Sequence, residues 1–208
     1  MSARIEHLVT EGTFSLDGGT WEVANNVWLI GDDSTCIVID AAHDVAAIRA
    51  AIGDRTLTAI LCTHAHDDHI GGVAELQAAT GAPVYLHPAD TELWQRVYPD
   101  AVPQPLEHGM RIVVADTELQ VLHTPGHSPG AVCFYAEELG TLFSGDTLFQ
   151  GGPGATGRSF SDFPTIMTSI TDTLLTLPET TVVRTGHGDS TTIGDESGHV
   201  EEWLARGH

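Results

Sequence analysis

Two apolar runs, NVWLI and TCIVID, lie close together near the start of the chain, joined by the polar turn Gly31-Asp32-Asp33-Ser34. Short runs rich in Val and Ile and bounded by turn residues predict strands. Residues 13–16 and 20–24 predict two further strands around an Asp17-Gly18-Gly19 turn. The period then changes. Val45, Ile48 and Ile52 recur at helical spacing, and Gly53 suits the helix C-cap. A strand over 57–62, a helix from about 72 to 80, the strand PVYLH and a helix around 89–98 follow. Strands are expected through 111–145. The last third predicts a helix with Ile166, Ile170, Leu174 and Leu177 on one face, a strand TVVRT and a terminal helix around GHVEEWLARG. No linker or low-complexity stretch divides this rhythm, so residues 1–208 are expected to form one α/β domain.

The two halves echo each other. CIVID ends on Asp40, and the chain returns through a helix and a strand to His64; LFSGD ends on Asp146, and the chain returns on TVVRTGH to His187. A duplication of this kind predicts two sheets packed face to face with helices outside, and a site where the strand-end loops meet.

Charge narrows the possible partners. Eight basic residues, all arginine, stand against 29 acidic ones, for a net charge of −21. Such a field repels phosphate backbones and anionic membranes, so neither nucleic acid nor a membrane is an expected partner. Cys36, Cys62 and Cys133 lie in apolar runs without a C-x-x-C pair, which predicts buried reduced thiols. The N-terminus MSARIEHLVTEG lacks the apolar core of a signal peptide, and no stretch has the length of a membrane span. The expected compartment is the cytoplasm.

The stretch THAHDDH, residues 63–69, carries the chemistry. In extended backbone residues i and i+2 share a side, so His64 and His66 can converge on one ion while Asp67 points elsewhere. Asp68 and His69 stand at the turn into the next helix and can begin a second site. Gly71-Gly72 is expected to let that turn form tightly. Further donors must come from distant strand ends. HTPGHSPG offers His127, SGDTLF offers Asp146 and TGHGDS offers His187. A carboxylate can bridge two ions whereas an imidazole binds one, which makes Asp146 the natural bridge.

Together these segments resemble the metallo-β-lactamase superfamily over nearly the whole chain. The resemblance implies an αββα sandwich of two face-to-face mixed sheets with outer helices. It implies a first metal site of His64, His66 and His127, and a second of Asp68, His69 and His187 bridged by Asp146. Asp40 matches a strand-end aspartate that supports the metal loop from outside. Two divalent ions are expected, zinc first, with iron or manganese as alternatives.

The segment TPGHSPGAVCFY followed by SGDTLF is similar to glyoxalase II-type thioester hydrolases. That likeness implies a hydrolase cleaving the acyl thioester of a small thiol such as glutathione or mycothiol. Asp68 and Asp146 are then the catalytic carboxylates, Asp68 holding or passing the proton. Arg158, in the loop QGGPGATGRSFSDFP, is the expected contact to an anionic substrate, and His87 a contact at the rim. Trp94, Tyr98 and Phe149 are candidates for an acyl pocket, or for core packing. His123 is expected to be structural or to support a ligand, and His43 to have no functional role. The chain ends 21 residues after His187, so the helical C-terminal domain of full-length glyoxalase II enzymes is not expected. The oxidoreductase alternative is a persulfide dioxygenase holding one iron with His64, His127 and Asp146. Lactonase or β-lactamase activity and a metal-stabilised binding module are further readings. The oligomeric state has no signature in the sequence.

Overall fold

The computed structural model describes residues 2–207. Two six-stranded sheets carry it. The first is ordered β1 (Arg4–Leu16), β2 (Gly19–Gly31), β3 (Thr35–Ile39), β4 (Thr56–Leu61), β5 (Val84–Leu86) and β6 (Gln104–Pro105). The second is built from β7 (Arg111–Val114), β8 (Thr117–His123), β9 (Val132–Ala136) and β10 (Thr141–Gly145), extended by β13 (Val182–Thr185) and β14 (Thr191–Thr192) in the order β14-β13-β10-β9-β8-β7. A small ribbon of β11 (Leu148–Phe149) and β12 (Gly152–Pro153) stands apart from both. Both large sheets are mixed. β3–β4–β5–β6 run parallel beside the antiparallel β1–β2–β3, and the parallel pair β10–β13 sits in an otherwise antiparallel sheet.

The unbroken apolar runs are explained by burial on two faces. Along β3, Ile37 and Ile39 join Phe134, Phe143 and Val121 in the core between the sheets. The alternate Cys36 and Val38 turn outward to Val45, Ile48, Val73 and Leu76. These belong to α1 (Val45–Ile52) and α3 (Val73–Thr80), which follows the one-turn α2 (Asp67–Ile70), with α4 (Thr91–Val97) adding Leu93 and Trp94. The second sheet repeats the plan: β9 sends Val132 and Phe134 inward and Cys133 and Tyr135 outward. The outer residues meet α5 (Phe163–Asp172), α6 (Ile193–Ser197) and α7 (Val200–Arg206) through Ile166, Ile170, Ile193 and Trp203. All three cysteines are buried and unpaired by disulfides.

Three expectations change. The strands predicted at 13–16 and 20–24 are the tip of a longer hairpin, paired from Arg4↔Gly31 to Leu16↔Gly19. Helix α5 ends at Asp172, and a separate 3-10 turn over Leu174–Thr176 follows, so Leu174 and Leu177 join Ile166 and Ile170 in the same apolar cluster but from outside the helix. Threonine hydroxyls explain the break: Thr168, Thr171 and Thr176 donate to the carbonyls of Pro164, Met167 and Thr173, competing with regular helix. Gly72 has ordinary right-handed backbone (φ −91°, ψ −6°), so it is not there for an unusual turn. It is there for space: a Cβ would lie 2.7 Å from the Ala41 carbonyl oxygen and 2.8 Å from Val45 Cγ2.

Candidate metal centre

The two parallel strand pairs set the site. β3 and β4 end on Asp40 and on the loop starting at Thr63; β10 and β13 end on Asp146 and on the loop carrying His187. Backbone bonds fasten the two sheets to each other there, from Asn26 N to Gly186 O (2.8 Å) and from Val132 N to Thr63 O (2.8 Å). Gly186 is needed for close approach, since a Cβ would stand 2.1 Å from Asp146 Oδ1.

Seven donors converge at this edge in three overlapping groups: His64, His66 and His127; His64, His69 and Asp146; and Asp68, His69 and His187. In the first, His66 Nδ1 lies 3.0 Å from both His64 Nε2 and His127 Nε2. The outward nitrogens decide the tautomers. His127 Nδ1 faces the Ala155 carbonyl (2.9 Å), and His187 Nδ1 faces the Ala24 carbonyl (2.8 Å), so both must donate. Thr63 Oγ1 gives its proton to Asp40 Oδ2 (2.7 Å) and therefore accepts from His64 Nδ1 (3.0 Å). The Nε2 lone pairs of His64 and His127 then point at the same place as His66 Nδ1. Burial, with the neighbouring histidines, pushes His64 well below the usual histidine range and His66 to about 3, so neither ring is an imidazolium and both keep a lone pair for a metal.

The second group is the opposite in charge. His187 Nε2 lies 3.3 Å from Asp68 Oδ2 and 3.4 Å from Asp146 Oδ2, and His69 Nε2 lies 3.4 Å from Asp68 Oδ2 and Asp146 Oδ1. Burial opposes charge on both histidines, yet the aspartates outweigh it, raising His69 well above its usual value and His187 to about 10. Burial likewise disfavours the Asp68 carboxylate, but His69, His187 and Asn25 overcome it and hold Asp68 at about 2. Asp146 also reaches the first group, 3.5 Å from His127 Nε2. Buried side-chain atoms His66 Nε2, Asp68 Oδ1 and Asp146 Oδ1 have no hydrogen-bond partner. Converging lone pairs, paired carboxylates and orphaned oxygens fit a binuclear metal centre.

A model of the metallo-β-lactamase superfamily matches residues 20–187. The chain belongs to the metallo-β-lactamase superfamily. Within it, the chain is 38% identical to the "Probable metallo-hydrolase YqgX" of Bacillus subtilis, over 82% of this chain and 87% of that one. It is 39% identical to a hydroxyacylglutathione hydrolase of Xanthomonas euvesicatoria pv. vesicatoria, over 78% of this chain but 60% of the relative. The chain thus spans about three-fifths of the length of that hydrolase. Among solved structures, TTHA1623 in a di-iron-bound form is 39% identical with a TM-score of 0.75, covering 84% of this chain and 93% of that one.

In this superfamily member Asp40 sits where the sequence suggested, behind the donors. Its Oδ2 receives His69 Nδ1 (2.9 Å) and Thr63 Oγ1, and its Oδ1 receives Thr63 N (2.7 Å). It holds a left-handed backbone (φ 54°), a conformation that costs a non-glycine residue about 1 kcal/mol and that these three bonds maintain. Asp67 points away and accepts from Ser15 N (3.0 Å), fixing the hairpin tip.

A cleft of about 160 Å³ opens over the donors, walled by Phe14, Leu16 and Val23 from the tip of β1–β2 and by Ala155 and Arg158 from the loop before α5. The Arg158 guanidinium lies over Trp21 (3.9 Å) and Phe14 (5.3 Å), at the cleft. His87 does not line this cleft; it stacks on His123 at 3.9 Å, and His123 is bonded to the Pro129 carbonyl (2.9 Å). Nor do the suggested acyl-pocket aromatics line it. Trp94 and Tyr98 pack in the helix-side core, with Tyr98 OH donating to Ile70 O (2.7 Å), and Phe149 lies 6.3 Å from the His187 ring.

Three residues at the site have no motif to announce them. Asp90 is fully buried and accepts from Ala65 N (2.9 Å), Ser128 Oγ (2.8 Å) and Gly130 N (2.5 Å), tying the His64–His66 loop to the His127 loop. Asn25 and His43 lie behind Asp68. A polar residue at a helix start, as in HPADT, was the available signal for Asp90; Asn25 and His43 offered none.

Proposed function

We propose that the chain is a metal-dependent hydrolase that cleaves an acyl thioester of a small anionic thiol. The observation carrying this reading is the cleft itself: five of the seven metal-suited donors, His66, Asp68, His127, Asp146 and His187, on its floor, apolar walls of Phe14, Leu16 and Val23, and the cation Arg158 beside them in a chain of net charge −21.

Two divalent ions held by His64, His66 and His127 and by Asp68, His69 and His187, with Asp146 shared, would supply a water acidified toward neutral pKa and a Lewis acid for the acyl oxygen. The protein does the rest. The Ala155 and Ala24 carbonyls, Thr63 and Asp40 fix the donor tautomers and ring orientations. Asp68 takes the proton released by the attacking water on Oδ1, its oxygen free of hydrogen bonds. Phe14, Leu16 and Val23 shelter the acyl group from bulk water, and Arg158 draws the anionic end of the thiol. A thiol leaves with a pKa of about 8.5, so no dedicated acid is required. The 39% likeness to a hydroxyacylglutathione hydrolase supports the thioester class.

The test is to purify the protein without added metal, quantify Zn, Fe and Mn per chain, and assay thioester cleavage beside oxygen uptake with glutathione persulfide. Two metals with thioester cleavage is the expected result. One iron with oxygen uptake and no cleavage would overturn the proposal in favour of a dioxygenase.

A further inference from the structure

The two oxygens of Asp68 are not equivalent. Oδ2 faces His69 and His187 and accepts from Asn25 Nδ2 at 2.9 Å, whereas Oδ1 is buried without a partner. The asymmetry originates outside the donor set. Asn25 is fully buried on β2, and its Oδ1 lies 2.8 Å from His43 Nε2. His43 follows β3 with left-handed backbone (φ 48°), its ring packed on Gly12 so closely that a Cβ there would lie 2.1 Å from Nδ1. Thr10 Oγ1 donates to Ala42 O at 3.1 Å, fastening the same loop to β1.

A primary amide alone can turn over at little cost and present either oxygen or NH2 to a neighbour. Here it cannot. Turning Asn25 over would set its carbonyl oxygen against the Asp68 carboxylate in a buried place and would break the bond that His43 Nε2 donates to Asn25 Oδ1 in the observed orientation. We infer that His43 and Asn25 form a positioning pair that holds Asp68 with Oδ2 toward His69 and His187 and keeps Oδ1 free as the proton acceptor. The proton-accepting half rests on the hydrolytic reading above; the metal-holding half does not.

The test is Co²⁺ titration of the metal-stripped protein against a chelator, with steady-state kinetics in parallel. Asn25→Ala should weaken the ion of the Asp68, His69 and His187 group roughly 10–100-fold and leave the other ion unchanged. His43→Ala should weaken the same ion by a smaller factor and lower kcat with KM unchanged, and His43→Gln, which retains an N–H donor, should recover most of the loss. The double variant should be no weaker than Asn25→Ala within about twofold, because His43 acts only through Asn25. Unchanged affinity in His43→Ala, or losses that multiply in the double variant, would overturn the inference. If Asn25→Ala does not fold, the His43→Ala and His43→Gln pair decides alone. The affinity pattern without thioester cleavage would overturn the hydrolytic reading only; cleavage without the pattern would overturn this inference only.

Discussion

Asp90 offers the sharpest test of how the centre is held. Its carboxylate is fully buried and accepts from Ala65 N, Ser128 Oγ and Gly130 N. Asp90→Ala leaves three buried donors without an acceptor, each costing about 1–3 kcal/mol, an upper range of roughly 3–9 kcal/mol. Two effects reduce this. Burial raises the Asp90 pKa, so desolvation already opposes the native carboxylate, and a water can enter the space left by the side chain. The expected loss is about 3–4 kcal/mol for Asp90→Ala, and about 1 kcal/mol for Ser128→Ala, which removes a single bond. Because Ala65 lies between His64 and His66, and Ser128 adjoins His127, Zn²⁺ affinity at that group should also fall roughly 10–100-fold in Asp90→Ala. Urea unfolding of the metal-stripped variants measures the first quantity, and Zn²⁺ competition with a chelator the second. A stability loss below about 1 kcal/mol with unchanged Zn²⁺ affinity would refute the reasoning.

Asp67→Ala should keep most metal and activity and cost about 0.5–1 kcal/mol through the lost Ser15 bond, whereas Asp68→Ala and Asp146→Ala should lose metal or activity; equal losses in metal analysis of all three would show the wrong aspartate was chosen. In the metal-free protein the raised pKa of His187, about 10, contributes stability that is full below the usual histidine value and is lost as pH rises toward 10. At pH 8 His187 therefore carries a proton that a metal must displace, and Zn²⁺ added to weakly buffered protein should release about one proton per chain or more, read with an indicator dye; no release would contradict the assignment. Arg158→Gln should raise KM about tenfold for a carboxylate-bearing thioester with kcat little changed, and leave an uncharged thioester unaffected; equal effects on both would remove Arg158 from substrate contact.

Much of this was legible in the sequence because strand and helix periods are local. The helix at 72–80 is α3, Val73–Thr80, and the strand at 57–62 is β4, Thr56–Leu61. The donor residues were legible because a dense histidine motif has few other meanings and its strand-end partners carry the same turn chemistry. The β1–β2 hairpin was underestimated because much of its outer half is exposed, so HLVTEG shows no continuous apolar run. Asp90, Asn25 and His43 were illegible for another reason. Each acts across the fold, Asp90 over 25 to 40 residues of separation, and a lone buried polar residue looks like any other until its partners are known. For Trp94 and Tyr98 the sequence leaves two readings open, acyl pocket or core packing, and the fold selects the core, because which way a large aromatic faces is set by its neighbours across the fold.

The hairpin tip supplies Phe14, Leu16 and Val23 to the cleft, yet none of the seven donors comes from it. The donors and the apolar walls are thus carried by separate stretches of chain, which meet through the Asp67–Ser15 and Asn25–Asp68 bonds, the Phe14–His66 ring contact and the Ala24 carbonyl at His187 Nδ1. Under the proposed function, resurfacing the side chains of Phe14, Leu16 and Val23 is expected to redirect which acyl group is admitted while the seven donors stay in place. The hairpin is the part of this scaffold on which a new substrate range can be built.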